Sequence, residues 1–200
     1  KSMKIVVMKF GGTSVGDVEK INNVSKIISN NYTKHKIIVV LSAMAGVTNN
    51  LQKLINEIST KQTPENDLII TSGEQVTVGL LSKLLNKMGI KSLPLLGWQV
   101  PIITDSCYEK AKILNIDKKN ILNYFEIYDV IVLAGFQGVS VDGKITSLGR
   151  GGSDTTAVAI ASAVDAERCD IFTDVEGVYS ADPNIVDKAK KIEKISYEEM

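Results

Sequence analysis

Two glycine-rich segments in this 200-residue chain each lead into a stretch of helical periodicity, the first of them from a short apolar run. The first is Lys9-Phe10-Gly11-Gly12-Thr13-Ser14-Val15-Gly16. Its glycines let the backbone approach a phosphate closely, the N–H groups of a following helix start favour an anion, and Lys9 sets a point charge at the strand's end. The second is Leu148-Gly149-Arg150-Gly151-Gly152-Ser153-Asp154-Thr155-Thr156. Arg150 presents a planar fork suited to a carboxylate or a phosphate, and Ser153 or Asp154 can cap the helix that follows. Each segment alone also reads as an ordinary turn with a solvated cation. Two such loops in one small domain point instead to two anionic ligands. The first fits neither the spacing of a Walker-type P-loop nor that of a dinucleotide-binding GxGxxG, so a phosphate role there would exclude both of those classes.

Glu74, within Ser72-Gly73-Glu74-Gln75, lies on a segment with an apolar stripe through Leu68, Val76, Leu80, Leu84 and Met88. Its own face carries Ile70, Val78 and Leu81, so this helix reads as apolar nearly all round and therefore buried. A buried carboxylate is costly unless paired. Gly73 would leave room for a ligand beside it, and a buried salt bridge is the structural alternative. Ser42-Ala43-Met44-Ala45-Gly46-Val47-Thr48 follows a strand, at the position where open parallel sheets bind ligands. Ser42 and Thr48 offer hydroxyls there, although Thr48 as a plain helix cap explains the segment equally well. Thr173-Asp174-Val175-Glu176-Gly177-Val178-Tyr179 begins a polar loop that could take a nucleobase and ribose, or be a surface turn.

Together these pieces suggest phosphoryl transfer, in which catalysis is mostly positioning and charge neutralisation. A carboxylate acceptor, with an ordinary pKa of about 3.9, is already ionised at neutral pH and needs no general base. Lysine, arginine and glycine N–H groups without histidine suit that reaction. The single histidine, His35, sits between two lysines and reads as a solvated residue at a strand entrance, so a Ser-His-Asp triad or a His-rich metal site is not expected. Cys107 and Cys169 are too few for a disulfide framework or a zinc site and read as reduced thiols in a cytoplasmic protein. The 23 basic and 23 acidic residues cancel, so no broad field would gather nucleic acid or an anionic membrane. The sequence shows no apolar run long enough to suggest a membrane span, and no signal peptide; Lys1-Ser2 reads as a cloning remnant before Met3.

The elements that must hold these residues follow from periodicity. Residues 4–10, 36–41, 91–96, 130–134 and 169–173 read as strands, with 100–104 as a short edge piece because Pro101 cannot serve a central ladder. Residues 17–31, 48–59, 117–125 and 154–164 read as helices, and a longer one starts at Thr63-Pro64 and runs towards Gly89. Asp142-Gly143 marks a hairpin tip, expected as an antiparallel element within the sheet. Apolar strands joined through helices predict an α/β fold, a three-layer αβα sandwich with a mainly parallel central sheet. Ser196-Tyr197-Glu198-Glu199 is a capping box announcing a further helix, which suggests truncation at Met200.

The segments KFGGTSVG, SAMAGVT, SGEQ, GWQ, VIVLAGFQGV, LGRGGSDTTA and TDVEGVYSADP, in this order, resemble the aspartate kinases of the amino acid kinase superfamily. The resemblance covers almost the whole chain. It implies an eight-stranded central sheet, Mg-ATP as donor and aspartate as acceptor, giving 4-phosphoaspartate on the route to lysine, threonine and methionine. It implies that Lys9 stabilises the transferring phosphoryl group and that Asp154 organises the cationic groups. Ser42, Thr48, Glu74, Arg150, Gly151, Gly152 and Ser153 would bind aspartate, with Glu74 on its ammonium and Arg150 on its carboxylate. Lys9, Phe10, Gly11, Gly12, Thr173, Asp174 and Tyr179 would contact the nucleotide. Asn184 departs from the arginine that the family pattern carries after Asp-Pro, which leaves one phosphate contact open. A following segment resembling GAKVLHP and regulatory ACT-type domains are also expected of the family, so these 200 residues alone are expected to have little activity. A homo-oligomer is expected of the full-length protein. Glutamate 5-kinase, uridylate kinase and a non-catalytic subunit of the same fold are the alternatives.

Overall fold

The computed structural model describes residues 3–149, 151–173 and 177–181, with residues 173 and 177–181 described by backbone alone. The chain runs through β1 (Ile5–Phe10), a 3-10 turn (Gly12–Val15), α1 (Val18–Ser29), β2 (Lys36–Leu41), α2 (Val47–Ile58), α3 (Pro64–Ile70), α4 (Gly73–Lys87) and β3 (Ser92–Leu95). It continues through β4 (Ile102–Thr104), β5 (Ile113–Ile116), α5 (Lys118–Tyr124), β6 (Val130–Ala134), β7 (Gln137–Ser140), β8 (Ile145–Ser147), α6 (Gly152–Ala163), β9 (Arg168–Thr173) and β10 (Gly177–Ala181). The main sheet has the order β10-β9-β1-β2-β6-β3 and is parallel except for β10, which pairs antiparallel with β9.

The side chains explain the layering. β2 and β6 are buried along nearly their whole length, as strands covered on both faces must be. Alternation along β1 sends Val6, Met8 and Phe10 into one core with Ile21, Val24 and Ile28 of α1 and Val78, Leu81 and Leu85 of α4. Val7 enters the opposite core with Ile121 of α5 and Ala157, Ile160 and Ala161 of α6. The expected three-layer α/β sandwich is formed. Lys9 shares the parity of Val7, so the alternation directs it towards the α6 layer.

Several expectations are corrected. The main sheet holds six described strands rather than eight, and four short strands form a second sheet, β5-β4-β7-β8. The Asp142-Gly143 hairpin, with Gly143 at φ +86°, joins β7 to β8 in that second sheet and not in the central one. β4 is flanked by β5 and β7 and is no edge; Pro101 lies just before it, where its missing N–H costs the ladder nothing. His35 is not solvated: its Nε2 lies 2.9 Å from Glu167 Oε2. Cys107 is exposed and Cys169 buried, and neither forms a disulfide among the described residues.

The helix read from Thr63 to Gly89 is two helices. Thr71 Oγ1 donates to Asp67 O and Ser72 Oγ to Ile69 O, each at 2.7 Å, and such local bonds compete with helix continuation. α4 buries one face, carrying Glu74, Thr77, Val78, Leu81 and Leu85, while Leu68, Val76 and Met88 of the expected stripe are 57%, 54% and 43% exposed. The helix is therefore buried on the carboxylate's side, not all round. By length and composition alone Pro64–Lys87, 24 residues, is apolar enough to cross a membrane, contrary to the sequence reading. In the fold the inner face of α4 packs on α1, β2, β3 and β6.

Asp67 of α3 is fully buried and accepts Ser147 N–H at 2.6 Å and Glu109 N–H at 3.1 Å. Burial pushes its carboxyl above the ordinary range, and these two N–H groups oppose the shift. Asp67→Ala would leave the buried Ser147 N–H and the half-buried Glu109 N–H unpaired. The expected result is a loss of about 3 kcal/mol, read from the urea unfolding midpoint.

Candidate active site

β1, β2 and β6 run parallel, and a cleft of about 370 Å³ opens beyond the carboxyl ends of β1 and β2. Lys9, Gly12, Ser42, Thr48, Glu74, Gly151, Gly152, Ser153 and Asp154 all line it. The two glycine-rich segments and the loop after β2 thus converge on one space, although they are far apart in sequence.

Lys9 and Asp154 form the electrostatic centre. Lys9 leaves the end of β1 on the α6 side, and the first turn of α6 presents Asp154, so that Lys9 Nζ lies 2.9 Å from Asp154 Oδ1. The lysine side chain is 13% exposed and the aspartate 42%, so the pair is open to the cleft mainly from the acid's side. Neither Ser153 nor Asp154 caps α6, contrary to expectation. The cap is Gly151, at φ +73° in the left-handed region that glycine tolerates, with no side-chain cap bond. Ser153 Oγ instead receives a hydrogen bond from Ser42 Oγ at 3.0 Å, tying the loop after β2 to the start of α6. The start of α1 is closed by a side-chain cap, since Asp17 accepts Lys20 N–H at 2.8 Å; of the turn Gly12–Val15, Gly12 lines the cleft.

Glu74 sits in the first turn of α4, 2% exposed, and its Oε2 has no hydrogen-bond partner. Burial raises its pKa to about 7, partly opposed by the backbone N–H groups of Glu74 itself and Ala43. A carboxylate so placed favours an incoming cationic group, which would supply the missing partner. The loop after β2 is held tightly around it. A Cβ on Gly73 would lie 2.7 Å from Ala43 Cβ, and one on Gly12 would lie 2.8 Å from Ala43 O, so only glycine allows these approaches.

The remaining candidates separate. The Phe10 ring is buried in the core and stacks on Phe172 with centroids 4.4 Å apart, so only its backbone could meet a nucleotide. Gly11 lies beside Lys9, where a Cβ would be 3.5 Å from Nζ. Arg150 and Asp174 lie outside the described residues, as do the side chains of Thr173 and Tyr179. The sequence reading missed Asn49 and Phe136 as lining residues. Phe136 holds φ +72°, donates its N–H to Thr156 Oγ1 at 3.1 Å, and packs against Gly152 so closely that a Cβ there would collide with its ring. Nothing in the sequence marks a non-glycine residue in that conformation.

Residues 4–200 match the Amino acid kinase family, and the chain belongs to it. It is 50% identical over 202 residues to an aspartate kinase of Pseudomonas fluorescens (strain SBW25), covering 99% of this chain and 49% of that protein. It is 48% identical to an aspartokinase of Pseudomonas aeruginosa, covering 99% of this chain and 48% of that protein. The chain thus spans about half the length of the curated relatives it matches. Among solved structures it resembles E. coli aspartokinase III in complex with aspartate and ADP, with a TM-score of 0.77 and 26% identity over 91% of this chain and 52% of that one. It also resembles an aspartate kinase from Synechocystis, with a TM-score of 0.73 and 37% identity over 91% of this chain and 30% of that one.

Proposed function

We propose that residues 1–200 belong to the catalytic domain of an aspartate kinase, which transfers the γ-phosphoryl group of ATP to the side-chain carboxylate of aspartate. The observation that carries this reading is the pairing, in one cleft, of a phosphate-type cation with an unpartnered buried carboxylate. Glu74 binds the substrate ammonium and Arg150 the α-carboxylate, while Ser42, Thr48 and Ser153 contribute hydroxyls beside the N–H groups of Gly151 and Gly152. The side-chain carboxylate, ionised already, attacks the γ-phosphorus. One O–P bond forms, the bond to the ADP oxygen breaks, ADP leaves, and no proton needs to be removed.

Lys9 supports the charge on the transferring oxygens and Asp154 fixes the direction of its ammonium. Gly11 and Gly12 let the backbone come close to the phosphates, and Thr173, Asp174 and Tyr179 meet the rest of the nucleotide. Asp154, a carboxylate lining the cleft, would be the residue to hold an Mg2+ ion brought in with ATP, and such an ion would screen the phosphate charge. The product, 4-phospho-L-aspartate, is the committed precursor of lysine, threonine and methionine. A cytoplasmic homo-oligomer with small-molecule partners, and neither nucleic acid nor membrane, completes the reading; the balanced charge supports the last two points alone.

ADP release by the protein that carries this chain, measured with aspartate, glutamate and UMP in turn, tests it. Turnover with aspartate alone is expected. Preference for glutamate or UMP would reassign the acceptor. Absence of turnover, together with no calorimetric binding of aspartate or an ATP analogue, would make the chain a structural subunit.

A further inference from the structure

Gln137 opens β7 immediately after Phe136 and is 4% exposed. Its side-chain oxygen accepts Gly97 N–H at 3.1 Å, and its amide nitrogen donates to Thr71 O at 3.0 Å. Those partners fix the orientation of the amide, since one end must accept and the other donate. Thr71 is the residue on which α3 ends, and Glu74 stands in the first turn of α4. α4 begins at Gly73, and Ser72 before it supplies no side-chain cap. Its start is pressed on one side against Ala43 and Val47, where Gly73 leaves no spare room, and is tied on the other through Thr71 to Gln137. A small rotation of this elbow would swing the Glu74 carboxylate within the cleft.

We propose that Gln137 is a positioning residue for the acceptor site: by bridging the loop after β3 to the α3–α4 elbow, it holds Glu74 in place for the substrate ammonium. The inference rests on the reading of Glu74 as the ammonium contact. The second sheet then has a role in recognition. β7 carries Phe136 at its entrance as a wall of the cleft and Gln137 as the strut behind Glu74.

Gln137→Leu removes both bonds. Gln137→Glu keeps the acceptor for Gly97 but sets an oxygen against the Thr71 carbonyl. Each is expected to raise KM for aspartate about 10-fold, with KM for ATP changed less than about two-fold. Because Gln137 acts through Glu74, adding Gln137→Leu to Glu74→Gln should raise the aspartate KM no further than Glu74→Gln alone. An unchanged aspartate KM, a parallel rise in both KM values, or additivity in the double variant would overturn the proposal. If the leucine variant does not fold, the glutamate variant decides; failure of both to fold overturns a positioning role in favour of a purely structural one. Should Glu74→Gln itself leave the aspartate KM unchanged, the reading of Glu74 falls instead. A raised KM in Glu74→Gln beside normal Gln137 variants sinks the present inference alone.

Discussion

Lys9→Met is expected to lower turnover about 10³-fold while changing the aspartate KM little, because on the proposed reading Lys9 serves charge that develops in the transition state. The lysine is mostly buried, so its ammonium acts in a medium less polarisable than water and its loss is not made good by solvent. Arginine in its place is not a conservative change: a planar fork does not fit the position of a compact ammonium 2.9 Å from Asp154 Oδ1. Asp154→Asn keeps the shape but frees the ammonium to turn, and a smaller loss of about 10-fold is expected. Coupled ADP release at saturating aspartate and ATP measures both variants. Turnover of the methionine variant within 10-fold of the unmodified enzyme would remove Lys9 from the mechanism.

The second large effect lies in the pH dependence of Glu74. Its pKa, raised to about 7 by burial, leaves a substantial protonated fraction at neutral pH. Only the carboxylate attracts an ammonium, so the aspartate KM should fall as pH rises towards 7 and level off above it. Below that point KM should climb about 10-fold per pH unit. Glu74→Gln should flatten this limb and raise KM about 10²-fold above pH 7, since it leaves the ammonium without its charged partner.

Stability should move the other way. A folded-state pKa above the unfolded one gives a contribution that is fully present below about 4.5 and lost as pH rises through about 7. At pH 8 without substrate, Glu74→Gln should therefore unfold later in urea, by up to about 3 kcal/mol. A variant less stable than the parent at that pH would contradict the burial argument.

The parts of this molecule written in local pattern were legible. β1, β2 and β6 are near-continuous apolar runs, and α6 begins within two residues of the expected start. Lys9, Ser42, Thr48, Glu74 and Asp154 could be picked out because their loops carry glycines or follow strands. What local pattern could not express was tertiary. β5, only Ile113–Ile116, has two exposed and two half-buried residues, so it shows no clear alternation. The break between α3 and α4 interrupts no helical period; it is set by the Thr71 and Ser72 hydroxyls and held from across the molecule by Gln137 on Thr71 and by Ser147 on Asp67. Phe136 was invisible because its conformation depends on Thr156, twenty residues along the chain.

β1 has β2 on one side and β9 on the other. On the proposed reading, everything that recognises the acceptor apart from Arg150 and the start of α6 grows from the β2 side, while the nucleotide contacts come from the glycine turn after β1 itself and from the chain that follows β9. The strand bearing Lys9 is the seam between them. Substitutions on the acceptor half could thus exchange one small acid for another while the donor half stays as it is, which makes this architecture readily diversified.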